Sequence, residues 1–104
     1  MKQGSLALLI LKALSVQSEH GWGISARIAQ MSRDVFQVGQ GSLYPALHRL
    51  EKAGWVNSYW RATENNRIAR YYELTTDGRR ALAIETAEWR LYAGAMNQVI
   101  DEAP

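Results

Sequence analysis

The stretch Gly41-Ser42-Leu43-Tyr44-Pro45-Ala46-Leu47-His48-Arg49-Leu50-Glu51-Lys52-Ala53-Gly54-Trp55 decides the fold. A serine hydroxyl accepts a hydrogen bond from an orphan backbone N–H at a helix start, and proline is tolerated in a first turn, where its missing donor costs little. Ser42 and Pro45 therefore predict a helix that begins near Ser42. Leu43, Leu47 and Leu50 recur at i, i+4 and i+7 and face a core, which leaves Tyr44, Pro45, His48, Arg49 and Lys52 on the opposite side. Gly54 suits the left-handed position that ends a helix, and Trp55-Val56 opens a β-rich segment. An apolar stripe behind an exposed face of hydrogen-bonding and cationic groups is the pattern of a helix that reads DNA.

Working outward toward the N-terminus, Leu6, Leu9, Ile10, Ala13 and Leu14 repeat at helical spacing, with Lys12 and Gln17 off the stripe, so residues 5–16 are predicted as an amphipathic helix. A Gly21-Trp22-Gly23 turn is expected next. Ile24, Ile28 and Met31 then predict a second helix to about Ser32, with Ser25, Arg27 and Gln30 facing solvent. Residues 33–41, with Val35-Phe36-Gln37-Val38 among polar and glycine residues, fit a turn or a brief extended piece.

In the other direction, aromatic and β-branched residues from Trp55 to Leu74 flank Thr63-Glu64-Asn65-Asn66-Arg67, and asparagine tolerates the positive φ of tight turns. This predicts a β-hairpin in which Val56, Ser58 and Trp60 alternate with Asn57, Tyr59 and Arg61, and Arg70, Tyr72 and Leu74 with Ala69, Tyr71 and Glu73. Thr75-Thr76-Asp77 supplies caps for a last helix to about Ile100. Along it Leu82, Trp89, Tyr92, Met96 and Val99 form a heptad-like seam, and Ala81, Ile84, Leu91 and Ala95 a weaker second stripe. A helix apolar on two sides is contacted by its own core and by another chain, so a dimer is expected.

The fold class expected is mainly α with a β-hairpin wing: a winged helix-turn-helix of three helices and a two-stranded wing, plus a long C-terminal helix. Residues 1–75 are expected to form the DNA-binding domain and residues 76–104 the C-terminal dimerisation helix. His48 and Arg49 are then positioned for base edges or phosphates, Lys52 for phosphate, and Ser42 and Tyr44 for phosphate hydrogen bonds. Asn65, Asn66 and Arg67 form the wing tip, with Arg61 and Arg70 as further cations beside it. Each has a plainer reading. Tyr44 could only pack against helix two, His48 could be solvated, Arg49 could pair with Glu51 or Glu19, and the two asparagines could serve the turn alone. Trp22, Trp55 and Trp60 are expected in the core, and Trp89 at the contact between chains, with stacking on a small aromatic ligand as its alternative use.

Composition narrows the field. A chain of 104 residues with 47% hydrophobic residues forms one domain, and without cysteine it has neither disulfides nor a thiolate metal site. Its longest apolar run, Leu6 to Leu11, is far below the roughly 20 residues of a membrane span, and a cytoplasmic location is expected. The net charge of +2 is uneven, at +2 for residues 1–41, +3 for residues 42–70 and −3 for residues 71–104, so the basic part coincides with the reading helix and wing. His20 and His48 are the only histidines, and no Ser/His/Asp order, phosphate-binding glycine loop or two-histidine metal spacing occurs, which argues against an enzyme and against a metal or other cofactor.

With Gly41 to Trp55 and the run Glu64-Asn65-Asn66-Arg67-Ile68-Ala69-Arg70-Tyr71-Tyr72-Glu73-Leu74-Thr75 both in view, the chain closely resembles the PadR family of bacterial transcriptional regulators. Gly4-Ser5-Leu6-Ala7-Leu8-Leu9-Ile10-Leu11 and His20-Gly21-Trp22-Gly23-Ile24 are similar to that family's first two helix signatures, so the resemblance covers about residues 4 to 100. Trp22 stands where tyrosine is usual in the family. The resemblance implies a homodimeric repressor of a neighbouring gene or its own operon, of the family's short form, dimerised through helix one and the C-terminal helix. On this chain the expected interface residues are Leu6, Leu9, Ile10, Leu82, Trp89, Tyr92, Met96 and Val99. It also carries the reading-helix motif onto Ser42, Tyr44, Pro45, His48 and Arg49, and the wing motif onto Asn65, Asn66 and Arg67. Some family members are released from DNA by phenolic or drug-like ligands near the dimer interface, with Trp89 as the candidate residue here. The function expected is a sequence-specific, double-stranded DNA-binding regulator that represses by occluding a promoter at an inverted repeat. The alternative is a winged-helix protein-interaction module without DNA binding.

Overall fold

The structure, a computed structural model, describes residues 3–103, with side chains from Ser5 onward. Met1, Lys2 and Pro104, at the ends of the two expected regions, lie outside it. The elements are α1 (Gln3–Val16), β1 (Glu19–His20), α2 (Gly21–Met31), α3 (Gln40–Lys52), β2 (Val56–Ala62), β3 (Ile68–Leu74) and α4 (Thr76–Ile100). This is a winged helix-turn-helix with a long C-terminal helix. The core gathers Ile10, Leu11, Ala13 and Leu14 of α1, Ile24 and Ile28 of α2, Leu43, Ala46, Leu47 and Leu50 of α3, Val56 and Tyr72 of the wing and Ala81 of α4. Apolar burial from every helix holds α3 against the scaffold.

The ends of α3 show which local signals a helix uses. Its start is Gln40, not Ser42: Gly39 is the cap, in extended conformation, and its carbonyl accepts from Ser42 N at 3.1 Å and Leu43 N at 3.0 Å. Ser42 therefore lies inside the first turn and makes no cap, and Pro45 falls in the second turn rather than the first. The helix continues through Pro45 because Gly41, whose carbonyl loses its helical donor there, is exposed to water. The other end is as expected. Gly54 has φ 82, Gly54 N donates to Glu51 O and Trp55 N to Leu50 O, both at 3.0 Å, which satisfies two of the last carbonyls.

Gly21-Trp22-Gly23 is not a turn but the first turn of α2, because the His20 ring caps it: Nδ1 accepts from Gly23 N at 3.1 Å. Arg27, expected to face solvent, instead ties α1 to β1, donating to Ala13 O at 2.9 Å, Gln17 O at 3.2 Å and Glu19 Oε1 at 3.0 Å. Met31, expected inward, is exposed because it is the last residue of α2.

The expected two-stranded wing, β2 and β3, is joined by a short third strand, in the order β1-β3-β2, all antiparallel. The pair Glu19 and His20 adds the extra edge by pairing with Tyr72 and Tyr71. The hairpin register sets Val56 opposite Leu74, Ser58 opposite Tyr72 and Trp60 opposite Arg70, which puts these six on one face. That face covers the core only near its base. Two of the tryptophans expected in the core are therefore outside it: Trp60 is 67% exposed on β2 and Trp22 is 71% exposed on the first turn of α2. Trp55 packs against the core as expected.

Thr75 caps α4, its Oγ1 accepting from Gly78 N at 2.9 Å. Gly78 and Ala81 are buried and Leu82 packs on the core. A Cβ at Gly78 would collide with the carbonyl oxygen of Trp55, so only glycine permits this approach of helix to wing. Farther along, Ile84, Trp89, Leu91, Tyr92, Met96, Val99 and Ile100 are all exposed. At 25 residues α4 spans about 37 Å, and the molecule measures 58 × 28 × 22 Å.

Candidate nucleic-acid interface

The outward face of α3 carries Ser42, Tyr44, Pro45, His48, Arg49 and Lys52, all exposed. Both acids that could have paired with Arg49 are occupied elsewhere. Glu19 is held by Arg27, and Glu51 Oε2 accepts from Ser58 Oγ at 2.5 Å and from Arg70 at 3.5 Å. Among the described residues no carboxylate forms an ion pair with His48, Arg49 or Lys52. Three solvated donors thus line one helix face with their hydrogen-bonding capacity available to a partner.

The wing tip is a turn closed by its own backbone. Thr63 N donates to Arg67 O at 2.6 Å, Asn66 N to Thr63 O at 2.9 Å, and Asn66 takes φ 62, the left-handed conformation asparagine accepts. Turn chemistry accounts for Asn66. Asn65 and Arg67 are exposed on the same tip, with no part of their side chains spent on closing it.

The two arginines expected beside the tip lie on opposite faces of the sheet. Arg61 sits over the Tyr71 ring at 5.1 Å, where Tyr59 also stacks at 6.0 Å and anchors its hydroxyl to Ser18 Oγ at 2.8 Å. Arg70 lies on the face toward α3. Its Nε donates to Ser58 Oγ at 2.9 Å, its Nη2 reaches Glu51, and its guanidinium stands 5.8 Å from the centre of the Trp60 ring. Arg70 is thus engaged within the chain. Helical spacing could not find this strut, which depends on the hairpin register placing Ser58 between an acid and a base from two other elements.

Between the start of α2, the start of α3 and the wing runs a groove of about 950 Å³, with Trp22, Tyr44, Trp60, Arg67, Arg70 and Tyr72 among its walls. The Tyr44 ring lies over Gly21: a Cβ there would stand 2.6 Å from its hydroxyl oxygen. Tyr44 thus packs on helix two and is still 47% exposed. Burial holds the Tyr72 phenol above its usual range, with Glu51 and Tyr44 acting in the same direction and Arg70 opposing.

The residues expected between chains divide into two sets. Ile10 has no exposed surface and Leu6 is 7% exposed, both in the core of their own chain, where Leu9 and Leu82 are packed as well. Trp89, Tyr92, Met96 and Val99 are open to water, and the Trp89 and Tyr92 rings lie 5.7 Å apart. No helix among the described residues is long and apolar enough to cross a membrane, and they contain no cluster of three or more potential metal ligands.

Comparison with known proteins agrees with this fold. Residues 10–84 match the family model described as the transcriptional regulator PadR-like family. The transcriptional regulator Rv3488 of Mycobacterium tuberculosis is 35% identical over 81 residues, 78% of this chain and 72% of that protein. A transcriptional regulator from Clostridium thermocellum superposes with a TM-score of 0.82 at 28% identity, covering 91% of this chain and 92% of the other. A PadR family transcription regulator from Clostridium difficile gives 0.77 at 29% identity, with 91% and 97% covered.

Proposed function

Since this chain belongs to the PadR-like family of transcriptional regulators, and not to a family of enzymes, we propose that it binds double-stranded operator DNA as a homodimer and represses by covering a promoter. The observation that carries this reading is the outer face of α3, where the hydrogen-bonding His48 and the cations Arg49 and Lys52 are free of acidic partners among the described residues, set beside the exposed tip Asn65, Asn66 and Arg67. With α3 in the major groove, His48 and Arg49 meet base edges or phosphates, Lys52, Ser42 and Tyr44 meet phosphates, and the wing tip reaches the adjacent minor groove or backbone. Arg61 adds a cation on the far face of the wing.

Dimerisation rests on the exposed apolar run of α4 from Ile84 to Ile100, including Trp89, Tyr92, Met96 and Val99, with the partly buried Leu9 as the contribution of α1. An apolar stripe left in water over this length is the mark of an association surface. Two reading helices then enter successive major grooves of an inverted repeat about one turn, roughly 34 Å, apart. The neighbouring rings of Trp89 and Tyr92 supply a place for a small aromatic ligand at that seam.

Footprinting on the DNA upstream of its own gene, at two salt concentrations and with an Arg49→Ala control, tests the proposal. The expected result is a symmetric, salt-sensitive footprint that the variant loses. No protection at either salt, from a folded dimer, counts against DNA binding and for a protein-interaction module.

A further inference from the structure

A large apolar side chain left in water is a cost that a folded chain ordinarily avoids, and this chain leaves two indoles out on one groove. Trp22, on the first turn of α2, is 71% exposed and Trp60, on β2, is 67% exposed, and both are walls of the groove between the helices and the wing. Neither supports the core. Trp60 is also held in place: Arg70 approaches its ring at 5.8 Å, Ser58 holds Arg70, and Glu51 of α3 accepts from both. The reading helix thereby sets where this exposed indole stands.

Duplex geometry says what passes through such a groove. Major and minor grooves are separated by one sugar–phosphate strand. If α3 occupies a major groove and the wing tip the adjacent minor groove, that strand must cross between α3 and the wing, which is where Trp22, Tyr44 and Trp60 stand. The chemistry suits it. Deoxyribose presents apolar faces to an indole ring, and the indole N–H can donate to a phosphate oxygen. Of the acids on the groove, Glu19 is neutralised by Arg27, while Glu64 lies at the wing tip, which also carries the cation Arg67. We infer that Trp22 and Trp60 form two jaws on the sugar–phosphate strand dividing the grooves, which clamp the DNA independently of its sequence. The inference rests on the DNA reading above.

The test compares Trp22→Ala and Trp60→Ala with the wild type and with Arg49→Ala, by operator titration, hydroxyl-radical footprinting and tryptophan fluorescence. Each tryptophan variant is expected to lose about tenfold in affinity on operator and on unrelated duplex alike, with protection lost at the backbone between the two grooves. Because both side chains are exposed, circular dichroism and thermal midpoint should match the wild type. Operator should quench the wild type more than Trp22→Phe or Trp60→Phe. Wild-type affinity and an unchanged footprint in both alanine variants, with binding lost in Arg49→Ala, would overturn the clamp and leave DNA binding standing. Quenching of these tryptophans by a phenol but not by operator would overturn it in favour of a ligand groove. A wild type that binds no duplex at all would remove the clamp together with the reading beneath it.

Discussion

The Glu51 carboxylate on α3 lies 3.5 Å from the Arg70 guanidinium on β3, and both hold the hydroxyl of Ser58 between them. Helix α3 and the wing are thus joined by a charged strut as well as by the apolar core. Both ions are partly exposed, so the strut contributes little to global stability. Its effect is on orientation.

Replacing Glu51 with alanine should therefore lower unfolding free energy by only about 1 kcal/mol while weakening DNA protection at the wing-flanking positions. Glu51→Gln, which keeps an acceptor for Ser58, should restore most of the flanking protection. Urea titration and footprinting of the two variants check this. Equal footprints in Glu51→Ala and the wild type would show that the wing angle is set by the core alone.

Two glycines should respond in opposite ways to alanine. Gly78→Ala drives a methyl group into the Trp55 carbonyl, and backbone cannot step aside, so a loss of about 2 to 3 kcal/mol in urea unfolding is expected. At Gly21 the new methyl group meets the far end of the Tyr44 side chain, which can rotate away. Gly21→Ala should thus keep nearly wild-type stability and lose DNA affinity, as Tyr44 is pushed off its position.

Alkaline pH should destabilise the fold through Tyr72. Burial raises its folded pKa, so as pH climbs past about 10 the unfolded phenol releases its proton first and the equilibrium moves toward unfolding. Stability from this group is complete below the unfolded pKa and is lost as pH rises through the folded one. Urea midpoints at pH 8 and pH 10.5 should fall more for the wild type than for Tyr72→Phe. Parallel falls would locate the alkaline sensitivity elsewhere.

Charge on the outer α4 stripe should separate the chains. Met96 and Val99 are 42% and 74% exposed, so glutamate at both positions leaves the domain folded and should halve the mass measured by light scattering. Operator affinity should drop with the lost second half-site. A variant that stays dimeric would move the contact to another surface. Quenching of Trp89 fluorescence across a panel of phenols tests the ligand seam separately, and a flat response would remove it.

How much of this was legible in the sequence depended on how locally each feature is determined. Gly54, Asn66 and Thr75 occupy the expected positive-φ and cap positions because those roles need only the residue and its immediate neighbours. The α3 start was displaced because Gly39 caps with its carbonyl alone, leaving no side chain as a marker. His20 was missed as a cap because imidazole serves that role far less often than hydroxyl or carboxylate. The strand Glu19–His20 exists only through pairing with Tyr71 and Tyr72, far along the chain. Hydrophobicity alone assigns Trp22 and Trp60 to the core, and it does not reveal that one lies on the outer first turn of α2 and the other where the hairpin extends past the core. On the candidate interface, the exposed α3 face was legible from periodicity. The engagement of Arg70 was not, since it depends on register.

Thr75 does more than cap α4. Its hydroxyl donates to Gly54 O at 2.6 Å and its N–H to Trp55 O at 3.1 Å, so the first residue before the long helix is latched to the residues that end α3. The joint makes α4 a lever whose fulcrum is the end of α3. A lever about 37 Å long that turns by about 5° moves its far end by about 3 Å, close to the rise of one base pair. In the proposed dimer, a small change in how two such levers cross would therefore shift one α3 against the other by about the rise of one base pair, a mechanical gain that starts at the joint Thr75 makes.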